Sequence, residues 1–508
     1  MIAISVTPED GALLSAFTNP SLKNERKKVL NISDVSVLTK NEIRMIDEAS
    51  RKVLTEMGIL VLSDKVLKQL AKKGADVDFD NRIVRISNRI IDRCLASAPK
   101  TIKIYSRNFK KLIELGKEKR THVASGHNSV YFYDGETGEK RPITKEEVGN
   151  FALLSDYLDE IDVVGIQAMP QNVNPHSTIL HALDAVLNNT LKPVYFSPEN
   201  GQEVRGLLDI VQAVSGEVPI SQKPIGICQL SPISPLTWPT GAVEGLAILA
   251  EEGFPFMVLS QPIAGVTAPK TIAGLITVTN IEALSGVIFS QLINPGTPVI
   301  YGSAWTTYEM TKGTALIGIP ERYACNIAHT QLAGHYHLPS HSTAFDTDAN
   351  LHDEQNAIEK LFNTIATMMA KTDIIIDCGM FSTGFNSSYE QLVVDNDMAK
   401  FVRRFLEGVE VNADTIAYDV IRSVGHNKTY LMEDHTLSHL GPEERTNYRI
   451  FNRDVPAIWE QKGKPTIMDN ARRLAHDVIQ THKVDQLDPG TKNKIRQIID
   501  SFERTFEA

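Results

Sequence analysis

Residues 192–232 read KPVYFSPENGQEVRGLLDIVQAVSGEVPISQKPIGICQLSP. Two short apolar runs, VYF and IGICQL, flank the stretch QEVRGLLDIVQAVSG, where Val204, Leu207, Leu208 and Val211 recur at helical spacing. The flanking runs are apolar throughout instead of alternating, as strands covered on both faces should be. A strand, a helix and a second strand in this order make a βαβ unit, and its two strands run parallel.

The same alternation extends outward, from about residue 121 to residue 411. Strands are expected at HVASG with VYFYD, DVVGIQAM, KPVYFSP, PIGICQLSP, PFMVLSQP, TPVIYGSA, LPSHST and DIIIDCGMF. Helical patterns lie between them, from TKEEVGNFALLSDYLDE to DEQNAIEKLFNTIATMMAK, and DMAKFVRRFLEG follows the eighth strand. Eight strand–helix units in under 300 residues is the count of a (β/α)8 TIM barrel, whereas a doubly wound open sheet rarely needs eight. The fold class expected is therefore α/β, a barrel at 121–411 with mostly helical additions at both ends. The lead-in, 1–120, is mixed. TKNEIRMIDEASRKVLTEMGI opens on a capping box, Thr39 with Glu42, and DKVLKQLAKKGA reads as a second helix ending at Gly74. NRIVRIS and TIKIYS read as strands on either side of the helix RIIDRCLASA. Residues 412–508 are expected to form a helical extension packed on the barrel.

The chain of 508 residues is 42% hydrophobic and 22% charged, ordinary values for a globular protein. A net charge of −10 and the lack of a long basic stripe argue against nucleic-acid binding. Cys94, Cys228, Cys325 and Cys378 are scattered and form no disulfide framework. The N-terminal MIAISVTPEDGALL does not read as a signal peptide. The most apolar run, TIAGLITVTNIEALSGVIF, is interrupted by Asn280 and Glu282, so no membrane span is expected. A cytoplasmic protein is expected, and large barrels of this kind often form homo-oligomers.

Barrels of this type carry their sites in the loops at the C-terminal ends of the strands. Here those loops hold Trp238, Trp305, Tyr308, Phe345, Phe381 and Phe385, with few carboxylates, one lysine near Lys270 and no glycine-rich phosphate cradle. Such a mouth suits a small apolar or quaternary-cationic ligand, each aromatic contact contributing about 0.5–2 kcal/mol. The bland alternative is that the rings pack the loops together. On the ligand reading, Trp305 and Tyr308 are walls of the site, and Trp305, Phe345 and Phe381 face a common centre. His341 lies near this end as a polar candidate, and Gln229, ending the fourth strand, is a weaker one. His335 and His337 precede the seventh strand and belong at the opposite end, so the three histidines should not converge and no metal is expected. Cys228 and Cys378 read as small core residues.

The stretch TAPKTIAGLITVTNIEALSGVIFSQLINPGTPVIYGS resembles the central signature of the trimethylamine methyltransferase family of corrinoid-dependent methyltransferases. The resemblance extends through SGHNSVYFYDGETGEKRPITKEEV, SPISPLTW and GIPERYACNIAHTQLAGHYHLPSHSTAFDTDANLHDEQNAIEK to GHNKTYLMEDHTLSHLG. It implies a barrel with N- and C-terminal additions. The founding members carry pyrrolysine just after a D-x-Q sequence at the start of the seventh helix, and this chain reads Asp353-Glu354-Gln355-Asn356 there. The resemblance then points to the non-pyrrolysine branch, which demethylates quaternary amines such as glycine betaine, proline betaine or carnitine. It implies a cobalamin-type corrinoid carried by a cognate partner protein and no intrinsic metal. Gln355 and Asn356 become the candidate catalytic positions, where they and the first amides of the seventh helix can meet a substrate carboxylate.

Two other functions fit part of the pattern. A metal-dependent barrel hydrolase would use the histidines, and bound metal would reveal it. A non-catalytic quaternary-ammonium binder would bind the same ligands without methyl transfer.

Overall fold

The structure, a computed structural model, describes residues 35–118, 120–439 and 448–506. The first 34 residues of the expected lead-in and residues 440–447 of the expected extension lie outside the described residues. Residues 35–402 with 450–506 belong to one compact unit, and residues 403–439 with 448–449 to a second.

Eight parallel strands form one sheet, in chain order: β1 (His122–Ser125), β2 (Val164–Gly165), β3 (Val194–Phe196), β4 (Gly226–Leu230), β5 (Phe256–Ser260), β6 (Val299–Ser303), β7 (Ser340–Thr343) and β8 (Ile374–Cys378). The ring closes because β8 pairs with β1, Ile374 opposite His122, and because Val163, just before β2, bridges Ala124 of β1. Each strand feeds a helix: α1 (Lys145–Tyr157), α2 (Thr178–Asn189), α3 (Gly201–Ser215), α4 (Thr240–Glu252), α5 (Ile272–Ile293), α6 (Pro320–Tyr336), α7 (Glu354–Met369) and α8 (Tyr389–Leu406). The expected (β/α)8 barrel is present, but of HVASG with VYFYD only the first run enters it: Tyr131–Tyr133 lies in a separate small sheet, paired with Lys140–Arg141 and Asn386–Ser387.

Local chemistry starts the helices where they start. Asn200 Oδ1 accepts from the amides of Gln202 and Glu203, both at 3.0 Å, at the head of α3. Thr144 and Glu147 form a capping box at α1, as Thr39 and Glu42 do at the helix Lys40–Glu56. Each such cap contributes about 1 kcal/mol. Helix α5 differs from its neighbours. By length and composition it is long and apolar enough to cross a membrane, but it carries buried Asn280, Glu282 and Gln291, and 72% of its most apolar window is buried inside the protein. It serves as a core helix, covered by the lead-in helices Lys40–Glu56 and Asn88–Ser97 as well as by α4 and α6.

Inside the ring, Val163, Tyr195, Ile227, Met257, Ile300, Ile374 and Ile376 form a dry core. The hairpin of strands Ile102–Tyr105 and Leu112–Leu115 adds Ile102, Ile104, Ile113 and Leu115 to it. Tyr105 donates its amide to Pro224 O, just before β4, at 2.8 Å. The hairpin therefore plugs the N-terminal mouth of the barrel and leaves the other mouth for a ligand.

Candidate functional site

A cavity of about 410 Å³ lies at the C-terminal ends of the strands. That size suits a small organic ligand. Its wall includes Phe345 and Phe381, three ionisable side chains (Arg322, Asp346 and Asp377) and the imidazole of His127. A larger groove of about 1000 Å³ lies elsewhere, on the outside of the barrel between α3 and the helix Pro489–Arg504.

Asp377 reaches the cavity through a fault in its strand. Ile374 and Ile376 face the barrel core, so strict alternation would turn Asp377 outward to the helices. The pairing of β8 with β1 slips between Ile375 and Cys378, and Asp377 takes a φ of 85°. This bulge re-aims the carboxylate inward. A non-glycine residue at such a φ is strained, a feature that clusters at functional sites.

Asp346 stands in the loop after β7 and Arg322 in the first turn of α6. Arg322 Nη2 lies 2.8 Å from Asp346 Oδ2, with the two side chains 3% and 5% exposed. Nη2 also donates to Thr343 Oγ1, and Asn363 Nδ2 donates to Asp346 Oδ2 at 3.2 Å. Burial pushes the carboxyls of Asp346 and Asp377 upward. The effect is greater at Asp377, where the Asp346 charge adds to desolvation and Arg322 offsets only part of it.

His127 follows β1. Its Nε2 is 2.9 Å from Gln229 Nε2, and its Nδ1 is 3.8 Å from Asp377 Oδ1. Tyr195 donates its hydroxyl to Gln229 Oε1 and so fixes which way that amide points. Burial pushes His127 down to about 4, so the ring is neutral near pH 7.

The cavity draws in some of the expected residues and leaves out others. Phe345 and Phe381 line it. Phe381 is braced by Tyr133 and His352, with ring centroids 5.4 and 4.5 Å away. Trp305 is not a mouth residue. It is fully buried, and its ring meets His329 of α6 edge-on at 5.9 Å. Ala304 and Thr306 line the cavity, so the period of two turns Trp305 back toward the helix layer. Tyr308 lies on a small sheet built from Ile263–Ala264, Thr306–Glu309 and Thr314–Leu316. It stands opposite Ala315, a lining residue, but is itself half-buried beyond the enclosed volume.

His341 is fully buried two residues before Thr343, one layer beneath the cavity, and burial pushes it down to about 3. A neutral ring there cannot balance a carboxylate. Gln229 also lies beneath the cavity, where it holds His127. Gln355 is exposed and donates to Glu359 Oε1 at 2.8 Å. Asn356 is buried, and its amide donates to the cap Asp353 Oδ1 at 3.1 Å. Neither residue is among those lining the cavity. Trp238 is likewise core, with Nε1 donating to Ser285 Oγ at 2.8 Å.

His335, in the last turn of α6, and His337, its C-cap, are exposed while His341 is buried inside β7, so the three do not converge. Among the described residues, the group with ligand atoms close enough to share an ion is Asp414, His435 and His439, in the other compact unit.

Residues 14–506 match the family described as "Trimethylamine methyltransferase (MTTB)". The chain belongs to the trimethylamine methyltransferase family. A family relative named trimethylamine methyltransferase MttB, from Desulfitobacterium hafniense strain DCB-2, is 30% identical over 466 residues, which is 92% of this chain and 93% of that one. A glycine betaine methyltransferase from Desulfitobacterium hafniense strain Y51 is 26% identical over 467 residues, 91% of this chain and 96% of that one. Among solved structures, the monomethylamine methyltransferase MtmB of Methanosarcina barkeri aligns over 86% of this chain and 93% of its own, with a TM-score of 0.50 and 13% identity. A hydroxylamine complex of MtmB aligns over 92% of both chains, with a TM-score of 0.51 and 12% identity. That likeness is one of fold.

For this member of the trimethylamine methyltransferase family, the expectation of a mouth poor in carboxylates fails at Asp346 and Asp377. The signal was an aspartate inside the otherwise apolar strand DIIIDC and a second one at SHSTAFD, both at strand ends. Arg322 was masked by its place in a helix start, GIPERYA, where a charged residue is ordinary.

Proposed function

We propose that this methyltransferase moves a methyl group from a small quaternary ammonium compound, of the betaine type, to the corrinoid of a partner protein. The observation that carries the reading is one cavity in which Phe345 and Phe381 share the wall with the buried carboxyls of Asp346 and Asp377. Aromatic rings and buried acid together favour a cation that has no proton to lose. Asn356, where the resembling founding members carry pyrrolysine, supports an already activated substrate.

The acceptor supplies the nucleophile: a Co(I) corrinoid displaces at a methyl carbon, and nitrogen keeps the electron pair and leaves as a neutral tertiary amine. No proton is transferred, so neutral His127 and the raised Asp377 need not act as a base. The chain's part is to hold the cation, aim one methyl outward and exclude water, which together supply several kcal/mol. A cavity of about 410 Å³ holds one such amine without room for a corrin ring, so the acceptor must come to the mouth from outside. Four free, buried cysteines are in keeping with a cytoplasmic setting.

The test is a panel of methylated amines offered with reduced cobalamin, with transfer read from the visible spectrum. Transfer from at least one quaternary amine and none from trimethylamine is expected. Turnover of trimethylamine alone would defeat the proposal, and binding without any transfer would favour a non-catalytic binder.

A further inference from the structure

The motif GHNKTYLMEDHTLSHLG, residues 425–441, belongs to the family resemblance, yet the barrel site uses none of it. Its described part, to His439, lies in the second compact unit. There the short helix Asp434–His439 carries His435 and His439 one turn apart, on one face. Their rings stack with centroids 4.0 Å apart and planes inclined by 21°. Asp414, from the helix Ala413–Ile416, joins them. A nitrogen of each ring and a carboxylate oxygen of Asp414 lie within 4.8 Å of one another.

The hydrogen bonding of His439 is that of a metal ligand. Its Nδ1 is 2.8 Å from the main-chain oxygen of His435, which can only accept, so the proton of the neutral ring sits on Nδ1. That leaves the lone pair on Nε2. This nitrogen is buried and meets no hydrogen-bond partner among the described residues. It nevertheless lies 3.3 Å from Asp414 Oδ2. A lone pair and a carboxylate oxygen at that distance repel unless a positive charge holds both. Two ligands on one tetrahedral zinc ion, with bonds of about 2.0–2.2 Å, stand about 3.3–3.5 Å apart. His435 Nε2 is 3.1 Å from Asp414 O, which keeps the second ring beside the same residue.

We propose that Asp414, His435 and His439 bind a divalent transition-metal ion of the zinc class, which ties residues 413–416 to residues 434–439. Two imidazoles and a carboxylate suit zinc, whereas calcium and magnesium take oxygen ligands. Asp414 is exposed, so water completes the shell on its side. The tie answers a lack of core. Of residues 408–439, Val424 alone is buried, and Val409, Val411, Tyr418 and Met432 are exposed. A segment with so little core needs a staple, and a structural metal is one. No step of methyl transfer runs through the ion. An ion here departs from the expectation that the protein carries no metal of its own, which weighed His335, His337 and His341.

The experiment strips the full-length protein of metal with a chelator and titrates it with zinc chloride. Wild type should bind one zinc per chain with a Kd below about 1 μM, and His435→Gln and His439→Gln should each weaken that by about 100-fold or more. Asp414→Asn should weaken it by about 10-fold or more. His476→Gln, at an exposed histidine outside the cluster, should change nothing. Zinc should also protect residues 409–433 of wild type from limited proteolysis, and should not protect them in His439→Gln. If wild type takes up no zinc at micromolar concentration, or both histidine variants bind as wild type does, the site is overturned, and His439 and Asp414 form an ion pair only. Tight binding without protection would overturn the tie and leave the ion. Should the histidine variants not fold, X-ray absorption of zinc-loaded wild type decides. Two imidazoles with oxygen ligands uphold the site, and any other set defeats it.

Discussion

His127 Nε2 lies 2.9 Å from Gln229 Nε2, an amide nitrogen that can only donate. The ring proton therefore sits on Nδ1, the nitrogen that faces Asp377 Oδ1 at 3.8 Å. One glutamine on the inner face of β4 thus sets the tautomer of a cavity residue brought in by the loop after β1. Gln229→Glu replaces the donor with a carboxylate and favours the imidazolium. His127 should rise from about 4 by about 1–3 pH units. Titration of the His127 ring signals by NMR measures this directly, and an unmoved midpoint would show that the glutamine does not govern the ring.

Trp305 belongs to the energetics of the fold more than to the ligand. Truncating a fully buried tryptophan to alanine costs about 3–5 kcal/mol of stability. Trp305→Ala should pay that cost in chemical denaturation. Its effect on cation affinity at low temperature should be smaller than that of Phe345→Leu, which should lose about 0.5–2 kcal/mol. The reverse ranking in a binding titration would return Trp305 to the site wall.

The same residues show how far the sequence could be read. Eight apolar runs separated by helical periods determine a barrel, because a strand buried on both faces leaves a continuous apolar signature. They do not determine which side chain at a strand end faces inward, since a one-residue change of register reverses every direction. Trp305 was expected at the mouth and lies on the outer side for that reason. Asp377 was read as part of an apolar strand and lies in the cavity because a bulge turns it. Phe345 and Phe381 were placed at the right end of the barrel because loop position alone decided them. Arg322 and Asp346 meet across 2.8 Å from α6 and the β7 loop, a tertiary pairing that no local pattern announces.

The wall around Asp377 is fastened by a second buried ion pair. Lys360 of α7 and Asp395 of α8 are both fully buried, with Nζ 2.8 Å from Oδ2. Asp395 also accepts from the Gly379 amide at 2.7 Å and from Gln391 Nε2 at 2.8 Å. Removing one partner leaves a buried charge alone, so Lys360→Met should cost about 3–5 kcal/mol. The double change Lys360→Met/Asp395→Leu should recover part of that loss, although the Gly379 amide then lacks its acceptor. Denaturant midpoints of the two variants test the pair, and a single substitution costing under about 1 kcal/mol would mean that the lysine is not held as a charge.

The acid limb of stability should belong to buried neutral histidines. His341 and His329 are wholly enclosed, and burial lowers both from the ordinary 6.5 to about 3. Between these values the unfolded chain binds a proton that the native state refuses, so stability falls as pH drops from about 6.5 toward 3. Each ring adds about 1.4 kcal/mol per pH unit to that slope. Asp377 works the other way. Its native carboxyl keeps a proton that the unfolded chain has released, so its contribution is present at low pH and lost as pH rises above the ordinary carboxylate value of 3.8 through its own raised one. His341→Gln should therefore flatten the acid limb between pH 6 and pH 4 by about 1.4 kcal/mol per unit, and Asp377→Asn should steepen the net loss over the same range. Urea unfolding at half-unit steps reads both slopes. If His341→Gln leaves the limb as steep as wild type, the ring is already charged in the native protein, and the neutral layer beneath the cavity is not there.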